Sequence, residues 1–283
     1  MSRPKSKSES AKYWRVPELR NLELLHAKYK GRSFPRRINE GFEISLIENG
    51  AQFVNTRGGT SLASRGSIVV INPSEAYSVK AADGTGWTCR SFYPTANSVR
   101  DAALGARART AAIPFFPQST IEDAGLAAII RHLHLLLGSS ASTLAQESYS
   151  IWAATQLVLR HAAHPPIVRP PGREHKAVGR VMEYINAHYA DDLSLDEIAS
   201  IANLSPFHLV RVFRLQVGLP PHAYLTQVRI NKAKLLLNLG QPIAETAVDT
   251  GFVDQSHFSR HFKRILGMTP GQFAKTARLY KID

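Results

Sequence analysis

Two groups of hydrogen-bond-donating side chains recur in the second half of the chain. The first group holds His208 and Arg211, and the second holds His257 and Arg260. In each group the spacing of three residues places both side chains on one face of an α-helix. An arginine on such a face can donate two hydrogen bonds to the edge of a guanine. These residues therefore predict two helical surfaces that present donors to a polyanion such as DNA.

The two groups belong to a longer internal repeat. A shift of 49 residues also pairs Leu209 with Phe258, Phe213 with Phe262, Arg214 with Lys263, Gly218 with Gly267, Pro221 with Pro270 and Tyr224 with Phe273. Upstream the shift becomes 48 and pairs Leu195 with Ile243, Glu197 with Glu245 and Ala199 with Ala247. One residue has therefore been added at the turn, and the repeat predicts two copies of one supersecondary unit.

Each copy has the pattern of a helix-turn-helix. In the first, Ser194 can cap a short helix, residues 203–205 form a turn, and Pro206 begins a second helix, where its missing N–H is harmless. In the second, Gly251 permits a left-handed turn. The predicted inward side chains are Leu195, Ile198, Ala199, Ala202, Leu209, Val212 and Phe213 in the first copy, and Ile243, Ala247, Phe258, Phe262 and Ile265 in the second.

The segment from about 176 to 280 resembles the DNA-binding domain of the AraC family of bacterial regulators. The resemblance lies in Ile243-(x)3-Ala247-(x)3-Gly251-Phe252, in Ser256-x-Phe258-x-Arg260-x-Phe262-Lys263, and in Gly267-(x)2-Pro270. Thr246 stands where the family usually has isoleucine, a departure that affects packing. The family implies two recognition helices, joined here by a central helix over about 221–239, that enter successive major grooves about 34 to 36 Å apart. It also implies double-stranded DNA and RNA polymerase as partners.

The resemblance further assigns the contacts with DNA. Base readout falls on Phe207, Val210 and Arg211 of the first recognition helix and on Ser256, His257 and Arg260 of the second, with His208 on the outward face beside Arg211. Arg214 and Lys263 lie further along the two helices and are expected to contact phosphates. Because Val210 can offer only a methyl contact, the first helix is predicted to specify fewer bases than the second.

The first half of the chain has the pattern of strands and turns. Phe42, Ile44 and Leu46 alternate with polar residues, as in a half-buried strand. Residues 31–95 resemble the cupin-like sensor domain of many AraC-family members, in Phe34-Pro35-Arg36, Phe42-Glu43-Ile44, Gly66 to Pro73, and Gly86-Trp87 before Tyr93-Pro94. The predicted fold class is therefore α+β multidomain: an N-terminal cupin-like antiparallel β-barrel followed by helices, and a C-terminal all-α domain with two helix-turn-helix motifs.

Four residues of this half are candidates for a ligand site. Arg37 and Asn39 lie two positions apart on a predicted strand, so both point to one face. If that face is the barrel interior, Tyr77 joins them at one cavity and Trp87 forms an apolar wall. Such a set suits a small organic effector, with Arg37 holding a carboxylate. The alternative is that Arg37 faces solvent while Tyr77 and Trp87 belong to the core.

The chain lacks the residues that several kinds of catalysis require. Cys89 is the only cysteine, so neither an internal disulfide nor a thiolate metal cluster is expected, and the repair methyltransferases that carry a similar helical domain need several cysteines. Related sensors often have histidines at the positions of the three polar candidates, and this chain has none between His26 and His132. We therefore expect no metal, no other cofactor, no catalytic residue and no enzymatic activity.

The sequence patterns divide the chain into five segments. They are a loose basic arm (1–20), the cupin-like barrel (21–119), a helical element (120–162), a proline-rich linker (163–174) and the DNA-binding domain (175–283). The family resemblance implies that the helical element serves dimerisation; the alternative, which does not exclude it, is that its apolar faces cover the barrel. The helical element is predicted from apolar residues on one face of each of two helices, namely Leu126, Ile130, Leu133 and Leu137, and Ile151, Ala154 and Val158. The net charge of +13 suits a polyanionic partner. Its excess lies mainly in the first half, so charge alone does not predict DNA binding.

The resulting interpretation is a cytoplasmic, effector-responsive, homodimeric DNA-binding regulator. The first residues lack the apolar core of a secretory signal, and no run approaches the roughly 20 apolar residues of a membrane span. One alternative is a ligand-independent DNA-binding regulator in which the barrel serves only dimerisation, which a sealed barrel interior would favour. A second alternative is an enzyme fused to a DNA-binding module, which the missing metal ligands oppose.

Overall fold

The computed structural model describes residues 9–104, 112–139, 141–165 and 174–279. The chain divides into two compact units, Met1–Ser139 with Ser150–Val168, and Ser140–Tyr149 with Arg169–Asp283. The first unit is built on antiparallel sheets with helices, and the second is helical. The fold class predicted from the sequence is therefore confirmed.

The strands of the first unit form two antiparallel sheets. They are β1 (Ser10–Val16), β2 (Leu22–Tyr29), β3 (Ser33–Ile38), β4 (Glu43–Gly50), β5 (Gln52–Thr56), β6 (Gly59–Ala63), β7 (Ile68–Ile71), β8 (Ala76–Ala81), β9 (Trp87–Tyr93) and β10 (Thr120–Ile121). One sheet has the order β1-β2-β9-β4-β7-β10 and the other has the order β3-β8-β5-β6.

Burial on these strands follows the two-residue period of a pleated sheet. Val54 of β5 and Val79 of β8 pack with Ile47 of β4 and Trp87 of β9 in one core cluster, while Phe53 of β5 is exposed. In contrast, β4 is buried from Glu43 to Glu48, on both faces. Its second face is covered because a helix packs on β4 and β9.

Part of the predicted basic arm is a strand. Residues Ser10–Val16 pair in register with β2, and the Trp14 indole N–H donates a hydrogen bond to the Leu137 carbonyl oxygen at 3.2 Å. The prediction of a loose arm is therefore wrong from Ser10 onward. Among the basic residues lie Tyr13, Trp14 and Val16, and aromatic and β-branched residues of this kind favour a strand. Residues 1–8 lie outside the described residues.

Three helices accompany or follow the sheets: α1 (Ala96–Leu104), α2 (Ala124–Leu136) and α3 (Thr143–His161). The predicted inward residues of α2, Leu126, Ile130 and Leu133, are all buried, as is Leu137 after it. On α3 the prediction was partly wrong. Val158 is buried, but Ile151 and Ala154 are only half-buried. The buried apolar residues of this helix are instead Leu144, Ala153, Leu157 and Val158.

The predicted dimerisation element is divided between the two units, since residues 140–149 cluster with the C-terminal helices. The contacts within that second unit explain this grouping. The Glu147 carboxylate accepts a hydrogen bond from the Leu195 N–H at 2.6 Å, and the Thr143 hydroxyl donates one to Asp192 at 3.2 Å. The predicted linker, 163–174, lies mostly outside the described residues.

Seven further helices follow in the second unit. They are α4 (His175–Ala187), α5 (Leu195–Ala202), α6 (Pro206–Val217), α7 (Pro221–Asn238), α8 (Ile243–Asp249), α9 (Gln255–Leu266) and α10 (Pro270–Leu279). The central helix predicted over 221–239 is α7, with Leu239 as its C-cap. The two predicted helix-turn-helix motifs are α5–α6 and α8–α9, which places α6 and α9 as the two recognition helices.

Candidate DNA-contacting and ligand-binding sites

The first motif is folded by the residues that the sequence singled out. Ser194 and Glu197 form a capping box at the start of α5, and the Ser205 hydroxyl caps α6 by accepting from the His208 N–H. Asn203 takes the left-handed conformation at the turn, with φ 54°. The predicted inward side chains of α5 and α6 are all buried.

The second motif makes its turn with glycine. Gly251 has φ +75°, and a Cβ atom there would lie 2.5 Å from the Ala190 carbonyl oxygen, so only glycine fits. The Phe252 N–H bonds the Ala247 oxygen as the Leu204 N–H bonds the Ala199 oxygen in the first motif. The additional residue of the repeat is therefore Val253, which is exposed just before the Asp254 cap of α9. Phe258 and Phe262 are fully buried, and Ile243 and Ile265 pack against them.

The outward face of α6 is less accessible than predicted. Val210 is 3% exposed and belongs to the core, so its assignment to base readout is not supported by its position; it sits next to Leu209 on the side of the helix that turns inward. Phe207, His208 and Arg211 are half-buried, and Arg214 is exposed.

An acidic side chain from another element reaches this face. Glu174 is the N-cap residue of α4, but its side chain does not cap that helix. Its carboxylate instead accepts a hydrogen bond from the His208 Nε2 at 3.0 Å. Burial lowers the pKa of Arg211, and the Glu174 charge opposes that shift, so the carboxylate acts on this guanidinium too. No pattern in the sequence predicts this contact, because it depends on how α4 packs on α6.

The outward face of α9 is open. Ser256, Arg260 and Lys263 are exposed, and the Arg260 Nε donates to the Ser256 carbonyl oxygen at 3.3 Å. His257 is half-buried against the Phe252 and His261 rings, and burial lowers its pKa. His257 is therefore a neutral hydrogen-bonding group at pH 7.

Arg229 of α7 is an important residue that the sequence analysis missed. Its guanidinium is buried and donates to two backbone carbonyl oxygens, from Nε to that of Tyr189 at 2.6 Å and from Nη2 to that of Asp191 at 2.7 Å. Burial lowers its pKa to about 10, so it stays charged at pH 7. The central helix is thereby fixed to the loop between α4 and α5, and with it the placement of the second motif.

The polar residues predicted to line the barrel do converge, on a carboxylate that the prediction omitted. Arg37 donates from Nε to the Tyr77 hydroxyl at 2.5 Å and from Nη2 to Glu43 at 3.3 Å. The Asn39 amide donates to the same Tyr77 oxygen at 3.0 Å and to Glu43 at 3.3 Å. Tyr77 in turn donates to Glu43, and burial beside that carboxylate raises the Tyr77 pKa.

Glu43 is the centre of this cluster and is only 7% exposed. Its other oxygen accepts from the Ser45 hydroxyl at 3.1 Å, which lies 2.6 Å from the Ser91 hydroxyl. Trp87 makes none of these polar contacts and lies in the apolar core that also contains Tyr77, where its ring contacts Tyr29 and Phe34. Neither interpretation of Arg37 was complete, since its side chain is 39% exposed and bonded inward to Glu43. The sequence feature that could have indicated this cluster is Glu43 itself, an acidic residue beside the apolar residues of β4.

Three other titratable groups of the first unit, His134, His161 and Cys89, have structural partners. The His134 Nε2 donates to the Leu25 oxygen while Nδ1 accepts from Arg90, and burial lowers its pKa to about 4. His161 bonds Asp123 at 3.1 Å. Burial raises the pKa of Cys89 to about 11, so this thiol is protonated at pH 7. Among the described residues no three His, Cys, Asp or Glu side chains cluster as metal ligands, and no helix is long and apolar enough to cross a membrane.

Two family models match the chain, and they match different halves. Residues 21–153 match the AraC-like ligand binding domain, and residues 198–276 match a helix-turn-helix domain. The first match contains the Glu43 cluster, and the second contains α6 and α9. Both halves of the resemblance described from the motifs are therefore confirmed.

Curated relatives are transcription regulators. The chain is 28% identical to the uncharacterised HTH-type transcriptional regulator YbfI of Bacillus subtilis over 85% of this chain and 90% of that protein. It is 38% identical to the arabinose operon regulatory protein of Escherichia coli over 42% of this chain and 41% of that protein. It is also 28% identical to the bifunctional transcriptional activator and DNA repair enzyme AdaA of Bacillus subtilis, over 47% of this chain and 66% of that protein. With a ligand-binding domain followed by two helix-turn-helix motifs, the chain belongs to the AraC family of DNA-binding transcription regulators.

Proposed function

We propose that this regulator recognises one asymmetric DNA site through both motifs and responds to a small molecule bound at the Glu43 cluster. The observation that supports the first part is the pair of recognition helices, α6 and α9, with equivalent arginines at positions 211 and 260. In a repeat of this kind both helices enter the major groove, one helical turn apart.

The proposed base contacts are Phe207, His208 and Arg211 on α6 and Ser256, His257 and Arg260 on α9. Arg214 and Lys263, which are exposed further along each helix, are proposed to bind phosphates. Val210 is left out because it is buried, and this supports fewer base contacts for the first helix.

The DNA assignment is tested by Arg260→Ala in the full chain, with Arg264→Ala as a control that removes the same charge from α9 elsewhere. The affinity for a selected site should fall about tenfold to a hundredfold, because a bidentate arginine contributes about 1 to 3 kcal/mol of base discrimination. Affinity for random DNA at the same salt should fall much less. Equal losses on both would place Arg260 at a phosphate.

The proposed effector is a neutral polar molecule. Arg37 is already paired with Glu43, so a carboxylate would have to displace an internal carboxylate and leave it buried without its cation. A hydroxyl- or amide-bearing ligand could instead exchange hydrogen bonds with Tyr77, Asn39 and Glu43 while the ion pair persists.

A thermal-shift screen of carboxylated and uncharged metabolites tests the effector. Uncharged polar compounds should stabilise the wild type and lose that effect in Tyr77→Phe, while stabilisation by carboxylates that disappears in Arg37→Ala would restore the anion hypothesis. If no compound stabilises the chain, the barrel serves only dimerisation and the regulator is ligand-independent.

Dimerisation is proposed through α2 and α3, whose outward faces are not used against the sheets. Leu135 supports this, since it is 53% exposed on α2 opposite the buried leucines. Leu135→Asp should lower the molar mass measured by sedimentation. We further propose that the chain is not an enzyme, that it acts on DNA in the cytoplasm, and that RNA polymerase is its second macromolecular partner.

A further inference from the structure

The contact between Glu174 and the first recognition helix has a functional consequence. Glu174 occupies the N-cap of α4, where an acid ordinarily bonds its own helix, yet its carboxylate is directed to His208 of α6. The two side chains are 30% and 23% exposed, so solvent only partly screens them. The same carboxylate lies close enough to Arg211 to counter the effect of burial on that guanidinium.

The second recognition helix lacks this arrangement. An acid, Asp254, also lies near Arg260, but its carboxylate accepts from the His257 N–H at 2.6 Å and thus caps its own helix. It belongs to α9 itself and is exposed. On α6 the acid comes from a different element and contacts a side chain of the outward face.

An acid in this place affects two kinds of DNA contact differently. Toward a phosphate, its charge repels the backbone and offsets a cation that would otherwise bind there. Toward a base edge, which is uncharged, the repulsion is absent, and a side chain held in position, as His208 is, loses less side-chain entropy when it bonds a base. Such a residue therefore weakens binding to DNA of any sequence more than binding to the matching sequence.

We propose that Glu174 is a specificity-determining residue of the first recognition helix: it holds His208 by a hydrogen bond for base contact, and its charge disfavours the binding of His208 and the neighbouring Arg211 to phosphates. The proposal rests on the assignment of these two residues to base readout. It concerns only the half of the DNA site that α6 contacts.

The experiment compares Glu174→Gln with wild type in the full chain, on four duplexes at fixed salt. They are the site selected by the wild type, the same site with either half scrambled, and random sequence. Glu183→Gln is the matched control, because Glu183 is an exposed acid of the same helix, half a rotation away, and its substitution changes net charge equally. Glu174→Ala, checked for folding by circular dichroism, removes the residual hydrogen bond as well.

Glu174→Gln should bind random DNA about threefold more tightly than wild type, since it removes one partly exposed negative charge that repels the phosphates. Its preference for the intact α6 half over the scrambled half should fall by a similar factor, and its preference at the α9 half should not change. The salt dependence on random DNA should steepen by about one phosphate contact.

Two results would overturn the proposal. One is an unchanged ratio between the intact and scrambled α6 half, or a change no larger than that of Glu183→Gln. The other is equal weakening on all four duplexes, which would make Glu174 a structural residue. Arg211→Ala separates this from the underlying assignment. If that variant loses no preference at either half, His208 and Arg211 are not base contacts and the proposed function itself fails at this helix.

Discussion

On α6 the outward residues His208 and Arg211 are half-buried, and His208 is hydrogen-bonded to Glu174, whereas on α9 Arg260 and Lys263 are exposed to solvent. The two helices are copies within one sequence repeat, and each follows a similar turn. Their difference comes from the element that packs beside them. Two helices can therefore carry an arginine at equivalent positions and still differ in how exposed that side chain is.

The largest difference between the motifs should appear at their turns. Gly251→Ala places a Cβ atom 2.5 Å from the Ala190 oxygen in a left-handed conformation, whereas Asn203 already carries a side chain at the equivalent turn. We expect Gly251→Ala to cost about 3 kcal/mol or more and Asn203→Ala about 1 kcal/mol. Thermal unfolding followed by circular dichroism measures both, and equal costs would show that the two turns are not different in strain.

The two arginines should differ next. Arg260→Ala is expected to cost about 2 kcal/mol of binding to a selected site, near the middle of the range for a bidentate arginine, and Arg211→Ala about 1 kcal/mol, because Arg211 is half-buried and exposes less of its guanidinium to a base edge. Fluorescence-anisotropy titration at one salt concentration gives both values. A larger loss for Arg211→Ala would reverse the proposed order of the helices.

Lowering the pH should reduce the folding stability of the second motif more than that of the first. Burial, with the charge of Arg264, lowers the pKa of His261 to about 3, and the equivalent residue of α6 is Val212. Below about pH 6.5 the unfolded chain gains a proton that the folded histidine resists, so stability falls as pH decreases from 7 toward 3. The loss at pH 5 should be about 1 kcal/mol after allowance for partial exposure.

His261→Val, which copies the first motif, should reduce this acid sensitivity and leave the part due to His257, whose pKa burial also lowers. Hydrogen exchange of the α9 amides at pH 7 and pH 5 is the measurement, with the α6 amides as the internal reference. Equal loss of protection in the variant and the wild type would assign the acid effect to other groups.

The smallest effect concerns the first helices of the motifs. Thr246 of α8 is fully buried, and its hydroxyl has no hydrogen-bond partner among the described residues, whereas Ile198 fills the equivalent place on α5. Thr246→Ile should stabilise the second unit by about 1 kcal/mol, since it removes an unsatisfied buried hydroxyl. A fall in melting temperature would mean that the site has no room for the added methylene.

The sequence predicted most of what depends on local pattern. The Ser194 cap, the start of α6 at Pro206, the turn at Gly251 and the inward residues predicted for α5, α6 and α9 all follow from residues close together in the chain. The added residue of the repeat was expected at the turn, and Val253 is there.

What the sequence did not predict depends on contacts between distant segments. Glu174 reaches His208 across 34 positions, and Arg229 reaches Tyr189 across 40. Glu43 lies beside apolar residues of β4, and nothing near it in the sequence indicates its partners. Those partners, Arg37 and Tyr77, come from β3 and β8, which pair with each other in the second sheet. Val210 was misassigned because the inward face of α6 is wider than the three residues predicted for it.

Selection of bound sites from a random DNA pool by the full chain tests the unequal roles of the two motifs most directly. We predict a bipartite, asymmetric site with halves centred about one helical turn apart and with more fixed positions in one half. The same selection with Arg260→Ala should relax that more constrained half and leave the other intact. A site with one half only, or one in which Arg260→Ala relaxes the less constrained half, would contradict the account.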